Sequence, residues 1–349
     1  MRLPYSLIKP LLFSMDPEKA HALTFKVLDR LESWDWLRKV VEPPERLPVE
    51  VMGLPFPNPI GLAAGLDKNA AHIDALTTLG FGFIEVGTVT PRPQPGNPAP
   101  RLFRLPAAQA LINRMGFNNQ GTTGMLGHIM RSKFTGVLGI NIGKNAATPI
   151  EQAAADYVAA MRDIYPFASY IAVNVSSPNT QNLRSLQGGD GLKNLLSTLA
   201  DERKRLADEH GAYRPMALKI APDLNDHEID WIADCLVQYG FDAIIATNTT
   251  LDRSQVQGLQ NAQESGGLSG APLQPRAVDV VAKLHRRLGR QTPIIGVGGI
   301  LRGSDACELM QAGASLVQIY TGFIYRGPAL ISECVDALQA ARLVPRHTS

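Results

Sequence analysis

The sequence predicts an α/β fold, a (β/α)₈ barrel of the TIM type with an amino-terminal helical extension, on three observations. Eight short, nearly continuous apolar runs recur along the chain, segments of helical spacing separate them, and each run ends in small or polar residues. Strands that are apolar on both faces belong to a parallel sheet covered by helices. The span is that of a barrel of about 250 residues with insertions. A doubly wound open sheet is the competing architecture, but Gly61-Leu62-Ala63-Ala64-Gly65 after the first run is a poor dinucleotide fingerprint.

The expected strands are Ile60–Ala64, Phe83–Thr88, Val137–Ile142, Tyr170–Val175, Met216–Ile220, Ala243–Thr247, Pro293–Val297 and Leu316–Tyr320. Helical spacing marks Ile150–Ile164, Leu192–Ala207, Asp226–Tyr239, Pro275–Leu288 and Gly303–Ala312. The expected division is a helical unit over residues 1–42 and a barrel over 43–349, joined at Pro43-Pro44.

The amino-terminal unit is rich in apolar residues, Leu3, Tyr5, Leu7, Ile8, Leu11, Leu12, Phe13 and Met15. Asp16 followed by Pro17 is a helix start signal. Ala20, Leu23, Val27 and Leu31 then share one helical face and His21, Phe25 and Leu28 a second, with Lys9, Lys19, Lys26, Arg30, Arg38 and Lys39 around them and Trp34 and Trp36 at the end. Two readings stand at this stage. One is a helical pair packed on the side of the barrel. The other is an interfacial unit that dips into a bilayer, with basic groups and tryptophans at headgroup level and an apolar tunnel between its helices.

Composition narrows the function. With 45% hydrophobic and 19% charged residues and a net charge of +2, the chain is an ordinary globular protein, and no basic cluster interleaved with aromatics points to nucleic acid. Cys235, Cys307 and Cys334 are scattered and suit neither a disulfide framework nor a metal, which fits a reducing, cytoplasm-facing compartment. No apolar run approaches a membrane span of about 18 residues. Pro4, Lys9 and Pro10 interrupt what a signal peptide would require. The seven histidines share no ligand spacing, so no metal site is expected, and no Ser-His-Asp triad is visible.

A barrel of this kind works at the carboxyl ends of its strands. There the sequence sets Ala63-Ala64-Gly65-Leu66-Asp67-Lys68, Thr88, Asn141, Asn174-Val175-Ser176-Ser177-Pro178-Asn179-Thr180, Lys219 and Thr247-Asn248-Thr249. The long loop after the second run carries Arg101 to Arg104 and Asn113-Arg114-Met115-Gly116-Phe117-Asn118-Asn119. Gly266–Gly270, Gly298-Gly299-Ile300 and Tyr320-Thr321-Gly322 are the backbone-rich turns that often hold a phosphate. Lysines and amides with few acids suit an anionic, carbonyl-rich ligand and a phosphorylated cofactor. An isomerase or aldolase barrel for a phosphorylated metabolite, and a non-catalytic membrane-docked scaffold, are the rivals on residue pattern alone.

In combination these motifs resemble dihydroorotate dehydrogenase of the quinone-dependent, membrane-associated class, and the resemblance runs from Asp16-Pro17-Glu18-Lys19-Ala20-His21 to Gly327. It implies oxidation of dihydroorotate to orotate in pyrimidine biosynthesis, FMN as cofactor, ubiquinone or menaquinone as electron acceptor, and a monomeric, peripheral protein on the cytoplasmic face of the inner membrane. The soluble classes use a cysteine base and lack the amino-terminal helices. Here the corresponding position is Ser177, which the resemblance makes the base that takes the C5 proton. It further implies that Lys68, Asn113, Arg114, Met115, Gly116, Phe117, Asn174, Asn179, Asn248 and Thr249 bind substrate. Ala64, Gly65, Lys68, Thr88, Asn141, Asn174, Lys219, Thr247, Gly270, Gly299, Tyr320 and Thr321 are assigned to FMN, and His21 and Arg104 to the quinone tunnel.

Overall fold

The computed structural model describes residues 5–34, 36–37 and 41–344; Leu3, Pro4, Arg38 and Lys39, named above, lie outside them. Eight parallel strands close into a barrel: β1 (Ile60–Leu62), β2 (Phe83–Val89), β3 (Val137–Ile142), β4 (Tyr170–Asn174), β5 (Met216–Ile220), β6 (Ala243–Ala246), β7 (Ile294–Val297) and β8 (Leu316–Ile319). The predicted helices appear at Ala153–Ile164, Gly189–His210, Asp226–Gln238, Gln274–Leu288 and Gly303–Gln311. Asn225 and Glu228 close a reciprocal capping box on the third of these.

Several expected strands run past their observed ends. Ala63, Ala64, Val175, Thr247 and Tyr320 have left the sheet. A strand buried on both faces shows no alternation that would mark its last paired residue, so apolar content alone overshoots.

The period of two along each strand sorts residues inward and outward. Outward-facing Ile84, Val86, Leu138, Ile140, Ile171 and Val173 join the shell of helices in one core. Inward, five of the eight strands grow more polar toward their carboxyl ends, from Phe83 to Glu85, Val137 to Asn141, Tyr170 to Asn174, Ala217 to Lys219 and Leu316 to Gln318, whereas β6 and β7 stay apolar with Ala243, Ile245, Ile295 and Val297. The floor is aromatic. Phe56, on the antiparallel hairpin Val49–Val51/Leu54–Phe56, meets Phe83 edge to face at 5.1 Å, and Val51 packs in the same cluster. Two glycines make this floor possible. A Cβ on Gly61 would lie 2.3 Å from the Phe83 ring, and one on Gly139 would lie 2.2 Å from that of Tyr170.

Outside the barrel, Leu102–Leu105, Ala110–Asn113 and Gly267–Gly270 pair into a three-stranded antiparallel sheet drawn from the loops after β2 and β6. Beside it stand α1 (Tyr5–Ser14) and α2 (Pro17–Ser33). The Asp16 side chain accepts from the Lys19 N–H, as its cap position requires. Of the two predicted faces of α2, that of His21, Phe25 and Leu28 turns to the barrel, where Phe25 stacks on His72 at 4.1 Å; Leu23 and Val27 face outward. Among the described residues no helix is long and apolar enough to cross a membrane.

Candidate active site

The carboxyl ends of the strands open into one cleft with ≈ 1010 Å³ of open space, mouth included. Into it converge Ala64, Gly65, Lys68, Thr88, Asn113, Met115, Gly116, Phe117, Asn174, Ser177, Asn179, Lys219, Thr247, Asn248, Thr249, Gly270, Gly299, Tyr320 and Thr321. Most residues singled out from the sequence therefore share one lining. Asn141 lies one layer beneath it, fully buried. Arg114 is turned away. Its guanidinium pairs with Glu264 at 2.6 Å and lies over the Phe103 ring, so its part in this lining is confined to the Asn113–Phe117 turn that carries it.

The β4 end fixes the polar geometry. Asn174 Oδ1 accepts from the Ser176 N–H and Oγ at 3.1 and 2.8 Å, and Asn248 Nδ2 donates to Ser176 Oγ at 2.9 Å. Ser177, buried in the wall, has its Oγ accepting from the Asn179 N–H at 3.2 Å, which leaves its own proton to be given up or shared. Asn179 Nδ2 in turn donates to Asn113 Oδ1 at 3.2 Å. The four asparagines are thus held by neighbours rather than by solvent. Among the described residues, Thr249 Oγ1 and Thr180 Oγ1 are buried with no partner, the condition of groups awaiting a ligand or an ordered water.

Two lysines set the electrostatics. Lys68 Nζ donates to the Gly65 carbonyl at 2.8 Å, and burial pushes its proton affinity down to about 8, against the opposing pull of Glu18. Lys219 is likewise lowered by burial and supported by Glu85, whose Oε1 is 3.8 Å from Nζ. That separation exceeds hydrogen-bond reach, so the ammonium keeps donors for a ligand in the cleft.

On the β7–β8 side the backbone forms a cradle. Gly270, Gly298 and Gly299 take φ of 100°, 137° and 76°, and a Cβ on Gly299 would sit 2.5 Å from the Gln274 backbone. Thr321 Oγ1 donates to Ser269 Oγ at 2.8 Å at the start of a short helix. Orphaned hydroxyls, an ammonium without an acceptor and a glycine cradle fit a phosphorylated ring cofactor. Among the described residues no cluster of His, Cys, Asp or Glu could hold a metal ion.

His21 and Arg104 lie outside the cleft. His21 Nε2 is 2.8 Å from the Leu66 carbonyl, and burial together with nearby Lys68 lowers its proton affinity. Arg104 donates to the carbonyls of Leu12, Phe13 and Met15, gripping the end of α1. Gly65 and Tyr320 line the cleft, and Tyr320 also packs against the cluster of Leu111, Leu301 and Tyr325.

Sequence reading gave no role to Glu85, Tyr170 or Gln318, which form the polar layer under the cleft. The available signal was a charged or amide residue at an inward position of an apolar strand, Phe83-Ile84-Glu85-Val86 and Leu316-Val317-Gln318-Ile319.

Comparison with known proteins identifies the relatives of this chain. The profile of one family, Dihydroorotate dehydrogenase, matches residues 46–341. A protein of Chromobacterium violaceum named Dihydroorotate dehydrogenase (quinone) is 60% identical over 333 residues, covering 95% of this chain and 97% of its own. One of the same name from Polynucleobacter asymbioticus is 58% identical, covering 96% and 98%. The ligand-free DHODH crystal structure from Eimeria tenella superposes with a TM-score of 0.85 at 37% identity, covering 94% of this chain and 97% of its own, and the ferulenol complex with 0.84 at 36%. With a family profile spanning nearly the whole barrel and near full-length relatives at this identity, the chain belongs to the dihydroorotate dehydrogenase family.

Proposed function

We propose that this protein oxidises (S)-dihydroorotate to orotate in pyrimidine biosynthesis, with FMN as its resident cofactor and a membrane quinone, ubiquinone or menaquinone, as electron acceptor. The observation that carries the reading is a serine, not a cysteine, in an asparagine-lined cleft beside an amino-terminal helix pair. FMN, when bound, supplies the hydride acceptor and the route for two electrons onward. Lys219, Asn141, Thr88 and Thr247 are the residues to hold its ring, and Gly270, Gly299, Tyr320 and Thr321 its phosphate.

The chain's own groups do the rest. Lys68 attracts the substrate carboxylate, and Asn113, Asn174, Asn179 and Asn248 offer amide donors and acceptors to the pyrimidine ring. Ser177 Oγ takes the C5 proton and passes its own onward by a water chain past Thr180, whose buried Oγ1 is free to join it. An alkoxide is unfavourable near neutral pH, so the base needs a donor to steady it, and the Asn179 N–H already aimed at Oγ is one. Burial of Ser177 and the wall formed by Phe117 keep bulk water from competing for that proton.

Residues 1–42 form the unit for membrane docking and quinone entry, and residues 43–349 the catalytic barrel. Leu7, Ile8, Leu11, Leu23 and Val27 are exposed on α1 and α2, with Trp34 and Trp36 also exposed and Lys26 and Arg30 nearby. That combination suits an interface between water and lipid, here the cytoplasmic face of the inner membrane, with the protein acting as a monomer. The test is the visible spectrum of the purified protein before and after anaerobic dihydroorotate. A bound-flavin band that bleaches and returns with a soluble quinone is expected. A colourless protein that takes up no added FMN overturns the reading.

A further inference from the structure

Glu85 is a fully buried carboxylate that the chemistry above does not use. Placed at the third residue of β2, it points inward between the aromatic floor and the cleft. A charge there is strongly unfavourable unless neighbours answer it. They do so from four other strands. Asn141 Nδ2 on β3 donates to Oε1 at 2.8 Å; Tyr170 Oη on β4 and Gln318 Nε2 on β8 donate to Oε2 at 2.8 and 2.7 Å; and Lys219 Nζ on β5 stands 3.8 Å from Oε1.

This arrangement reaches the cleft by two routes. The first is charge: burial lowers the proton affinity of Lys219, and the Glu85 carboxylate beside it opposes that loss. The second is orientation. With its amide nitrogen committed to Glu85, Asn141 presents Oδ1 upward, where it accepts from Thr88 Oγ1 at 2.5 Å and Asn174 Nδ2 at 3.3 Å; Asn174 Nδ2 also donates to Thr88 Oγ1 at 2.9 Å. Thr88, Asn174 and Lys219 all line the cleft.

We propose that Glu85 is a positioning residue that keeps Lys219 charged and the Asn141–Thr88–Asn174 chain in register, and thereby raises the reduction potential of the flavin held above. The proposal rests on the reading that this cleft holds FMN beside Lys219. A packing role alone would be served by an apolar side chain, which carries no desolvation penalty.

The decisive variant is Glu85→Gln in the full-length, FMN-loaded protein. Gln318 Oε1 is buried without a partner, so its amide can turn and accept from the new one, which favours folding. Without the carboxylate, the burial that lowers the proton affinity of Lys219 goes unopposed, so less positive charge faces the reduced ring. The equilibrium constant for flavin reduction should fall tenfold or more, about 30 mV for a two-electron couple. The gap from wild type should narrow as pH is lowered and the lysine regains its proton. Glu85→Asp, which keeps a carboxylate beside Lys219, should stay within about threefold of wild type.

An unchanged potential in Glu85→Gln with flavin bound overturns the proposal and leaves the FMN reading intact, as does an equal shift in both variants. Independently of variant folding, ¹⁵N-lysine NMR of the wild type reads the Lys219 amine, assigned by its loss in Lys219→Arg. A charged ammonium at neutral pH is expected and a neutral amine overturns the proposal. A wild type that takes up no flavin fails the functional reading, and the proposal with it.

Discussion

The mouth of the barrel and the amino-terminal helix pair are built in opposite ways. At the mouth, polar groups are buried and answered from several strands at once, so that Glu85 alone collects donors from β3, β4 and β8. In the helix pair, α1 buries no residue at all, and α2 buries only Ala20 and Phe25. It is held instead by contacts at its rim: Tyr5 Oη to the Ile324 carbonyl at 2.5 Å, Arg101 to Glu18 at 3.0 Å, and His72 to Asp29 at 2.8 Å. The difference teaches that the two regions answer to different solvents. One must hold atoms in place for proton transfer, and the other must keep an apolar surface that water does not satisfy.

The largest effect should come from the rigid region. Ser177→Ala should lower the rate of orotate formation by about 10²–10⁴-fold, the usual contribution of a positioned base. Flavin content and melting temperature should stay as in the wild type, because only one oxygen is lost from a wall still held by Asn174 and Asn248. Rapid-mixing absorbance under anaerobic conditions measures it. A variant that bleaches at the wild-type rate would remove Ser177 from the chemistry.

Next is the contact that joins the two regions. Phe25→Ala should cost about 3 kcal/mol locally, as loss of a buried ring does, and hydrogen exchange should show faster exchange across α2. Protection of the barrel strands should hold. If the strands loosen too, the helix pair is part of the barrel core and not a region apart. On the outer face, Leu7→Glu and Leu11→Glu should each weaken partition onto anionic vesicles by about tenfold or more, since burying a leucine is worth about 1.5–3 kcal/mol. At 76% and 65% exposure neither change should move the melting temperature.

Legibility followed the same division. The barrel could be read because a strand covered on both faces must be apolar throughout, and eight such strands with helices between them admit few other arrangements. The polar residues at strand ends were visible as departures from that rule. Pairing between distant loops was not. Nothing local in Leu102–Leu105 or Gly267–Gly270 announces that both flank Ala110–Asn113 in one sheet. The same applies to Arg114, which looks like part of the cleft motif until the loop after β6 brings Glu264 to it. Glu85 and Lys219 sit in different strands whose stagger brings them level, and a list of strand ends cannot contain that stagger.

The smallest effect separates the two ends of the electron path by pH. Lys68, with its proton affinity pushed down to about 8 chiefly by burial, is charged at pH 7 and loses its charge as the pH rises through that value. The substrate carboxylate stays anionic throughout, so attraction to the cleft falls on the alkaline side. By pH 9 about a tenth of Lys68 remains charged, and KM for dihydroorotate should have risen up to about tenfold. His21 behaves otherwise. Burial first and the Lys68 charge second lower its proton affinity, so it is already neutral at pH 7 and stays so. Its link to the Leu66 carbonyl then persists across the same range, and KM for a soluble quinone should stay flat. Steady-state titration of each substrate from pH 6.5 to about 9 measures both limbs, pH 9 being one unit above the lysine's midpoint. Parallel rises would mean that one group governs both ends, and that the cleft and the helix pair share a single electrostatic environment.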